Sequence, residues 1–331
     1  MAMRSICRVI SAAKIAEPFQ QEIKSNVAKL GYSPVLRAFL ANSDPSAKEY
    51  ADWTAKTATG LGITFDLQQI KREELEAAIL DANKNPKVNG IMNYWPVFDN
   101  VMEDTRVQQQ VDPLKDVEGF SPVFIRNLYD NVRFFDPPAN LIKSILPATP
   151  LALVKALEHL AVYNPLLEEG SRLYGKTITI VNRSEIVGRP LAALCANDGA
   201  TVYSVDVTGI RKYTRDRLKL ERHRFEEVEM TVEQAAQLSD VVICGVPSPA
   251  YKFPSASLKD GAIAINFSSA KNFDKDTVKE HASIYVPSIG KVTILMLLRN
   301  LLRLSQNQHN LAVVSQSSVS AKSAMDVRAS L

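Results

Sequence analysis

The stretch Thr177-Ile-Thr-Ile-Val-Asn-Arg-Ser-Glu-Ile-Val-Gly-Arg-Pro-Leu-Ala-Ala-Leu-Cys195 decides the architecture. Its first five residues are β-branched and uncharged, the composition of a strand covered on both faces. A short polar loop follows, and Pro190 then stands where the first turn of a helix tolerates a missing N–H. A strand that runs through a tight loop into a helix offers unpaired N–H groups and a partial positive charge at the helix start. That makes it a natural seat for pyrophosphate. The loop is not G-x-G-x-x-G, because only Gly188 is glycine and Asn182 holds the first position.

Working outward, Ala200-Thr-Val-Tyr-Ser-Val205 reads as the next strand, and Asp206 ends it, 24 residues past Asn182. Dinucleotide-binding folds place there the acid that accepts hydrogen bonds from the adenosine ribose hydroxyls. A carboxylate at that point repels a 2′-phosphate, so charge favours NAD over NADP. Three further apolar runs, residues 240–244, 262–265 and 283–286, complete a parallel α/β series of Rossmann type. Before it, residues 35–40, 62–67 and 90–95 read as strands separated by helices over 11–23, 46–60 and 73–83. Pro147-Ala-Thr-Pro150 punctuates the chain between the two series. The expected fold is therefore α/β with two domains, 1–148 and 149–290. A C-terminal helix over 293–312 packs back on the first domain, and a Ser/Ala-rich tail over 313–331 is disordered.

Composition agrees with two domains. The 331 residues are 46% hydrophobic and 23% charged, and 39 basic residues against 36 acidic ones give a net charge of +3. So balanced a chain is not built around nucleic acid or an anionic membrane. Cys7, Cys195 and Cys244 are widely separated, which argues against a disulfide framework or thiolate metal site and for a reducing compartment. The four histidines show no metal-ligand spacing, and no apolar run approaches a membrane span. Basic residues at 4, 8 and 14 resemble a targeting leader, but an amphipathic helix already begins at Ser11, so the chain reads as cytosolic. The basic run between Ile210 and Arg224 reads as a solvated surface helix.

Asn182-Arg-Ser-Glu-Ile-Val-Gly-Arg-Pro-Leu-Ala192 resembles the cofactor loop of the methylenetetrahydrofolate dehydrogenase/cyclohydrolase family. Other signatures of that family follow one another along the chain: Tyr50 with Lys56 and Gly62-Ile63, Gly90-Ile-Met92, Lys115-Asp-Val-Glu-Gly119, and Pro147-Ala-Thr-Pro150. The likeness spans about residues 8–305 and is strongest to the NAD-dependent, monofunctional, cytosolic fungal branch. It implies a cytoplasmic homodimer in one-carbon metabolism and purine biosynthesis. The implied substrate is 5,10-methylenetetrahydrofolate, with or without a polyglutamate tail.

Departures from the bifunctional pattern carry the chemistry. Bifunctional members have a catalytic lysine four residues after the tyrosine; here that position is Thr54, and Lys56 matches the family's second lysine. The glutamine supporting the catalytic lysine is replaced by Tyr94. Hydrolysis of the methenyl product needs that ammonium, whereas hydride transfer needs alignment and a site that tolerates developing positive charge. The resemblance therefore implies an NAD-linked dehydrogenase without cyclohydrolase activity. Tyr50, Thr54 and Glu118 take the catalytic positions, and Tyr50, Tyr94, Pro96 and Glu118 contact the folate. Glu118 holds the pterin's donor edge. The cofactor falls to Arg183, Ser184, Gly188, Asp206, Val207, Gly245, Val246, Pro247, Phe267 and Ser268. Arg183 is expected to pair with Asp206 or touch pyrophosphate. Two alternatives are a bifunctional enzyme in which Lys56 substitutes for the missing lysine, and a folate- or nucleotide-binding regulator without catalysis.

Overall fold

The structure, a computed structural model, describes residues 6–215, 222–316 and 328–331. The strands in chain order are β1 (Arg8–Val9), β2 (Val35–Leu40), β3 (Thr64–Gln69), β4 (Gly90–Asn93), β5 (Thr177–Val181), β6 (Thr201–Asp206), β7 (Gly209–Thr214), β8 (Arg224–Val228), β9 (Val241–Cys244), β10 (Ile263–Asn266) and β11 (Ile284–Val286). The helices are α1 (Ala12–Leu30), α2 (Pro45–Gly60), α3 (Leu75–Lys84), α4 (Val101–Gln108), α5 (Pro122–Tyr129), α6 (Ala148–His159), α7 (Gly188–Asn197), α8 (Val232–Leu238), α9 (Lys275–His281) and α10 (Gly290–Gln316). No helix among the described residues is long and apolar enough to cross a membrane.

The chain forms two compact units. One comprises residues 18–128, 132–148 and the C-terminal residues from 294; the other comprises the N-terminal residues to 17, 129–131 and 149–293. The first is built on a parallel sheet of order β3-β2-β4. Leu75, Ile79 and Ala82 of α3 pack with Phe39, Ile91 and Val107 on one face of it. In α2, Asp44 accepts a hydrogen bond from the Ser46 N–H at 2.9 Å, and Pro45 opens the helix without wasting a donor. Ala51, Thr54 and Ala58 form the buried stripe of α2, so the sequence itself turns Thr54 inward.

The second unit is a sheet of order β1-β11-β10-β9-β5-β6-β7-β8, parallel from β1 to β6 and antiparallel beyond. The chain leaves β5 toward β6 on one side and reaches β9 on the other, so the strand order reverses between β5 and β9. In open α/β sheets, ligands bind at such a reversal, outside the carboxyl ends of the strands.

Several expectations change. Residues 8–9, read as part of the first domain, pair with Ile284 and Tyr285 in the second unit's sheet. The basic run after Ile210 does not form a surface helix: Gly209–Thr214 is a strand that forms a hairpin with β6. Its charges are matched across strands, Arg211 to Glu227 at 2.8 Å and Lys212 to Glu226 at 3.4 Å, and those partners are remote in sequence. The middle of that run, 216–221, lies outside the described residues. The last helix extends from Gly290 to Gln316, beyond the expected 312, and residues 328–330 are also helical. The expectation of disorder for 317–327 falls outside the described residues.

Candidate active site

In the first unit, the site candidates gather where β4 ends. Asp116 pairs with Ile91 in a parallel bridge, which lays the loop after residue 115 alongside β4. The Asp116 carboxylate accepts hydrogen bonds from the Gly119 N–H (2.9 Å), the Ser121 N–H (2.6 Å) and the Ser121 hydroxyl (2.6 Å), tightening the loop. Gly119 has φ +77°, and a Cβ there would lie 2.7 Å from the Leu146 carbonyl carbon, so both conformation and space demand glycine. From α10, the Asn300 amide donates to the carbonyls of Val117 and Leu146, at 2.9 Å each.

Glu118 is thereby aimed at β4, and its Oε2 accepts the Asn93 N–H at 3.0 Å. Burial pushes its pKa up to about 8. The Asn93 N–H favours the charged form and works against burial, while the negative Asp116 reinforces the rise. Tyr50 and Tyr94 meet edge to face with ring centroids 6.0 Å apart. Burial raises both phenol pKa values, with Glu118 adding to each. Thr54 Oγ1 donates to the Tyr50 carbonyl at 2.8 Å. The Tyr94 hydroxyl lies beside Thr54 but makes no hydrogen bond of good geometry. Tyr50, Thr54, Tyr94 and Glu118 thus share one neighbourhood. Pro96 is exposed just beyond, and Asn42 ties its carbonyl and that of Tyr94 at 2.8 and 2.7 Å. Lys56 is exposed and lies over the Trp53 ring, 5.8 Å from its centre, rather than beside Thr54.

Sequence reasoning missed Asn93 and Trp95. Both polar atoms of the Asn93 side chain and the Tyr94 hydroxyl are buried without hydrogen-bond partners, and the buried Trp95 indole nitrogen lies beside the Glu118 carboxyl without a hydrogen bond of good geometry. Leaving such groups unpaired costs about 1–3 kcal/mol each. Three consecutive residues in that state beside a buried carboxyl group make this the candidate site of the first unit. The only signal in the sequence was the change from an apolar strand to asparagine at residue 93.

In the second unit, the candidates line the carboxyl ends of the parallel strands. The Asn182 side chain accepts from the Ser184 N–H (3.0 Å) and hydroxyl (2.7 Å) and donates to the Gly245 carbonyl (2.9 Å), bridging β5 and β9 at the reversal of strand order. A Cβ on Gly188 would collide with the Asn182 carbonyl, and one on Gly245 would collide with the Phe267 ring. Asn272, missed from the sequence, accepts from the Val246 N–H and donates to its carbonyl, at 3.0 Å each, and so sets the loop before Pro247. Asn266 donates to the Ser268 carbonyl at 2.8 Å. Asp206 is exposed at the end of β6, and Val207 beside it is fully exposed.

Two expectations are corrected here. The start of α7 is not an open anion seat: the Ser184 hydroxyl accepts from the N–H groups of Val187 (3.2 Å) and Gly188 (3.4 Å), and the Ser184 carbonyl takes that of Arg189 (3.0 Å). Arg183 forms no ion pair with Asp206, although that carboxylate is near enough to favour its charge. Its guanidinium is buried against the Ser204 hydroxyl (3.3 Å), the Thr208 hydroxyl (3.0 Å), and the carbonyls of Ser204 and Gly209 (2.6 Å each). Two of these four acceptors belong to Ser204 in β6 and two to Thr208 and Gly209 at the β6–β7 turn, a hairpin the sequence reading did not foresee.

The comparisons agree with this geometry. Residues 10–118 match the family model described as "Tetrahydrofolate dehydrogenase/cyclohydrolase, catalytic domain". A methylenetetrahydrofolate dehydrogenase [NAD(+)] of Schizosaccharomyces pombe is 54% identical over 305 residues, covering 92% of this chain and 95% of the relative. The bifunctional protein FolD of Caldicellulosiruptor saccharolyticus is 28% identical over 308 residues, covering 87% of this chain and 96% of the relative. Among solved structures, the NAD-dependent 5,10-methylenetetrahydrofolate dehydrogenase of Saccharomyces cerevisiae superposes with a TM-score of 0.87 at 54% identity, covering 92% of this chain and 99% of that one. With more than half its residues shared over nearly its whole length, the chain belongs to the tetrahydrofolate dehydrogenase/cyclohydrolase family.

Proposed function

We propose that this chain oxidises 5,10-methylenetetrahydrofolate to 5,10-methenyltetrahydrofolate with NAD as hydride acceptor, and that it does not hydrolyse the product. The observation that carries the reading is Thr54. Where bifunctional relatives carry a lysine, this chain has a hydroxyl whose proton goes to its own helix at the Tyr50 carbonyl. Lys56 is turned outward over Trp53 and supplies no ammonium in its place. Two residues along a helix rotate a side chain by about 200°, which accounts for the difference.

Dehydrogenation needs neither group. The methylene carbon gives up a hydride and becomes part of a cation, so no proton has to be removed and no general base is required. What the first unit contributes is orientation and charge. Tyr50 offers an aromatic face, and Glu118 accepts hydrogen bonds from the pterin's amino and ring N–H donors. An ionised Glu118 also favours a cationic product electrostatically. Asn93 and Trp95, with unspent donors and an acceptor, complete the polar contacts.

NAD supplies the acceptor carbon when bound. The second unit fits it in kind: Asp206 presents an exposed carboxylate for the ribose hydroxyls, with one oxygen accepting the Val207 N–H at 2.8 Å, and Gly188 and Gly245 let the Asn182 loop and the Phe267 ring pack closely at the strand ends. With Arg183 committed to the β6–β7 turn, no guanidinium is offered to a 2′-phosphate there, and Asp206 repels one. By the same likeness, the working form is a cytosolic homodimer that accepts polyglutamylated folate and feeds one-carbon units to purine synthesis.

The test is a coupled pair of assays on the purified chain. Substrate with NAD or NADP in parallel should give NADH and methenyl product, with little NADPH. Methenyltetrahydrofolate alone should disappear at the uncatalysed rate. Accelerated loss would refute the monofunctional reading, and absence of turnover with either cofactor would refute the dehydrogenase itself.

A further inference from the structure

In the first unit, the C-terminal half of α1 and the outer face of α10 enclose a groove of about 460 Å³, within the size range of small-molecule sites. Leu30 and Leu302 are among its apolar lining, and its charge is lopsided. Lys29, Arg299 and Arg303 face it, with His309, against a single acid, Glu22. That acid is already committed to Arg299, with Nε 2.8 Å from Oε1. Arg303, one turn along, forms no ion pair among the described residues. It is half-buried, and its one hydrogen bond goes to the neutral Gln306 amide at 3.2 Å. Burial and the nearby Arg299 disfavour its charge, and the Glu22 carboxylate, shared with Arg299, favours it. The Ser305 hydroxyl, which also lines the groove, is buried and has no partner.

Arg299 and Arg303 share the single carboxylate of Glu22, and the buried Ser305 hydroxyl is unpaired, so a ligand bringing an oxyanion to Arg303 and a second acceptor to Ser305 relieves both deficits. The groove is not spent on holding the fold. The other side of α10 does that work, through Asn300 to Val117 and Leu146 and through Gln308 to the carbonyls of Asn89 (3.0 Å) and Leu114 (2.7 Å). None of Tyr50, Thr54, Tyr94 or Glu118 lines it.

We propose that the α1–α10 groove is a second ligand site, which binds a small oxyanion-bearing molecule through Arg303, Lys29 and Ser305. Arg303 makes the charged hydrogen bonds, Ser305 donates its hydroxyl proton, and Lys29 at the groove's edge adds a mobile cation. Arg299 stays with Glu22 and shapes the wall.

Isothermal titration of the full chain with citrate, and separately with inorganic phosphate, tests this at constant ionic strength against chloride. Saturable binding of at least one is expected. Citrate alone binding identifies a carboxylate ligand, and phosphate alone a phosphorylated one. Arg303→Gln should weaken binding by about tenfold or more, and the exposed Lys29→Gln by a smaller factor. Dehydrogenase activity without added anion should stay unchanged in both variants. No saturable binding of either anion overturns the proposal. So does binding that survives both substitutions, or that is abolished by saturating folate substrate.

Discussion

Replacing Glu118 by glutamine separates the cost of that carboxyl group from its use. Glutamine keeps an oxygen for the Asn93 N–H but never ionises. In the wild-type chain, Glu118 titrates near 8 when folded, against an ordinary value of 4.5. Between those pH values, the folded state holds a proton that the unfolded chain has released. Unfolding stability therefore falls as pH rises from about 4.5 to 8, and this contribution levels off above 8. At ~1.4 kcal/mol per pKa unit, the ceiling on the loss is roughly 5 kcal/mol. Urea unfolding of both proteins at pH 5.5, 6.5, 7.5 and 8.5 isolates it, because all other titrating groups are common to the two. Glu118→Gln should gain on the wild type at each step, by at least about 1 kcal/mol over the series. Activity should move the other way. At pH 7, a group with a pKa near 8 is about one-tenth ionised, so KM for the folate should fall by up to about tenfold toward pH 9 in the wild type. The variant should bind weakly throughout. A stability gap that does not change with pH, or a variant with unaltered kcat/KM, would refute the assignment of Glu118 as a buried, substrate-accepting carboxyl.

Three other substitutions probe different parts of the structure. Lys115→Met removes an ammonium that donates to the carbonyls of Ala82 (3.0 Å), Asn83 (2.7 Å) and Asn85 (2.7 Å), and thermal unfolding should show a loss of roughly 2–4 kcal/mol. Gly188→Ala forces the Asn182 loop to shift, and fluorescence titration with NADH should show affinity lowered by about tenfold to a hundredfold. Asp206→Ser should reduce kcat/KM for NAD by about tenfold. Its gain with NADP should be small while Arg183 remains tied to the β6–β7 turn. An unchanged NAD/NADP ratio would disprove the role of Asp206.

The parallel sheets were legible because their strands are apolar runs that differ in texture from the helices. Thr177–Val181 and Val241–Cys244 carry no charge and are covered on both sides, so burial writes itself into composition. The β7–β8 pairing was not legible, since Arg211 and Lys212 look solvated until the antiparallel register sets Glu227 and Glu226 opposite them. For the site, residue types at family positions pointed to Tyr50, Thr54, Tyr94 and Glu118. Hydrogen-bond satisfaction is a tertiary property and pointed to nothing in advance. Asn93 and Asn272 are both buried asparagines, yet Asn272 is fully bonded to the Val246 backbone and Asn93 is left open. Arg183 and Ser184 were read as ligands from the family's Arg-Ser pair, and the sequence could not show that both side chains also bond neighbouring loop groups. Lys115, quoted as part of a functional signature, caps a helix end.

The division of the chain into segments also bears on how it is made. The unit that carries Glu118 needs α10, whose Asn300 holds the loop at Val117 and whose Gln308 holds Asn89 and Leu114. Those partners leave the ribosome some two hundred residues before their anchor does. The other unit has all its strands by residue 286 and can close while synthesis is still under way. The nascent chain therefore completes the eight-stranded unit first. The unit that carries Glu118 waits, with apolar strands and the unpaired carbonyls of Val117 and Leu146 exposed, for α10 to be translated. A chain stalled so that residue 293 but not residue 300 has left the exit tunnel should show protease resistance over residues 149–293, with residues 18–128 cleavable.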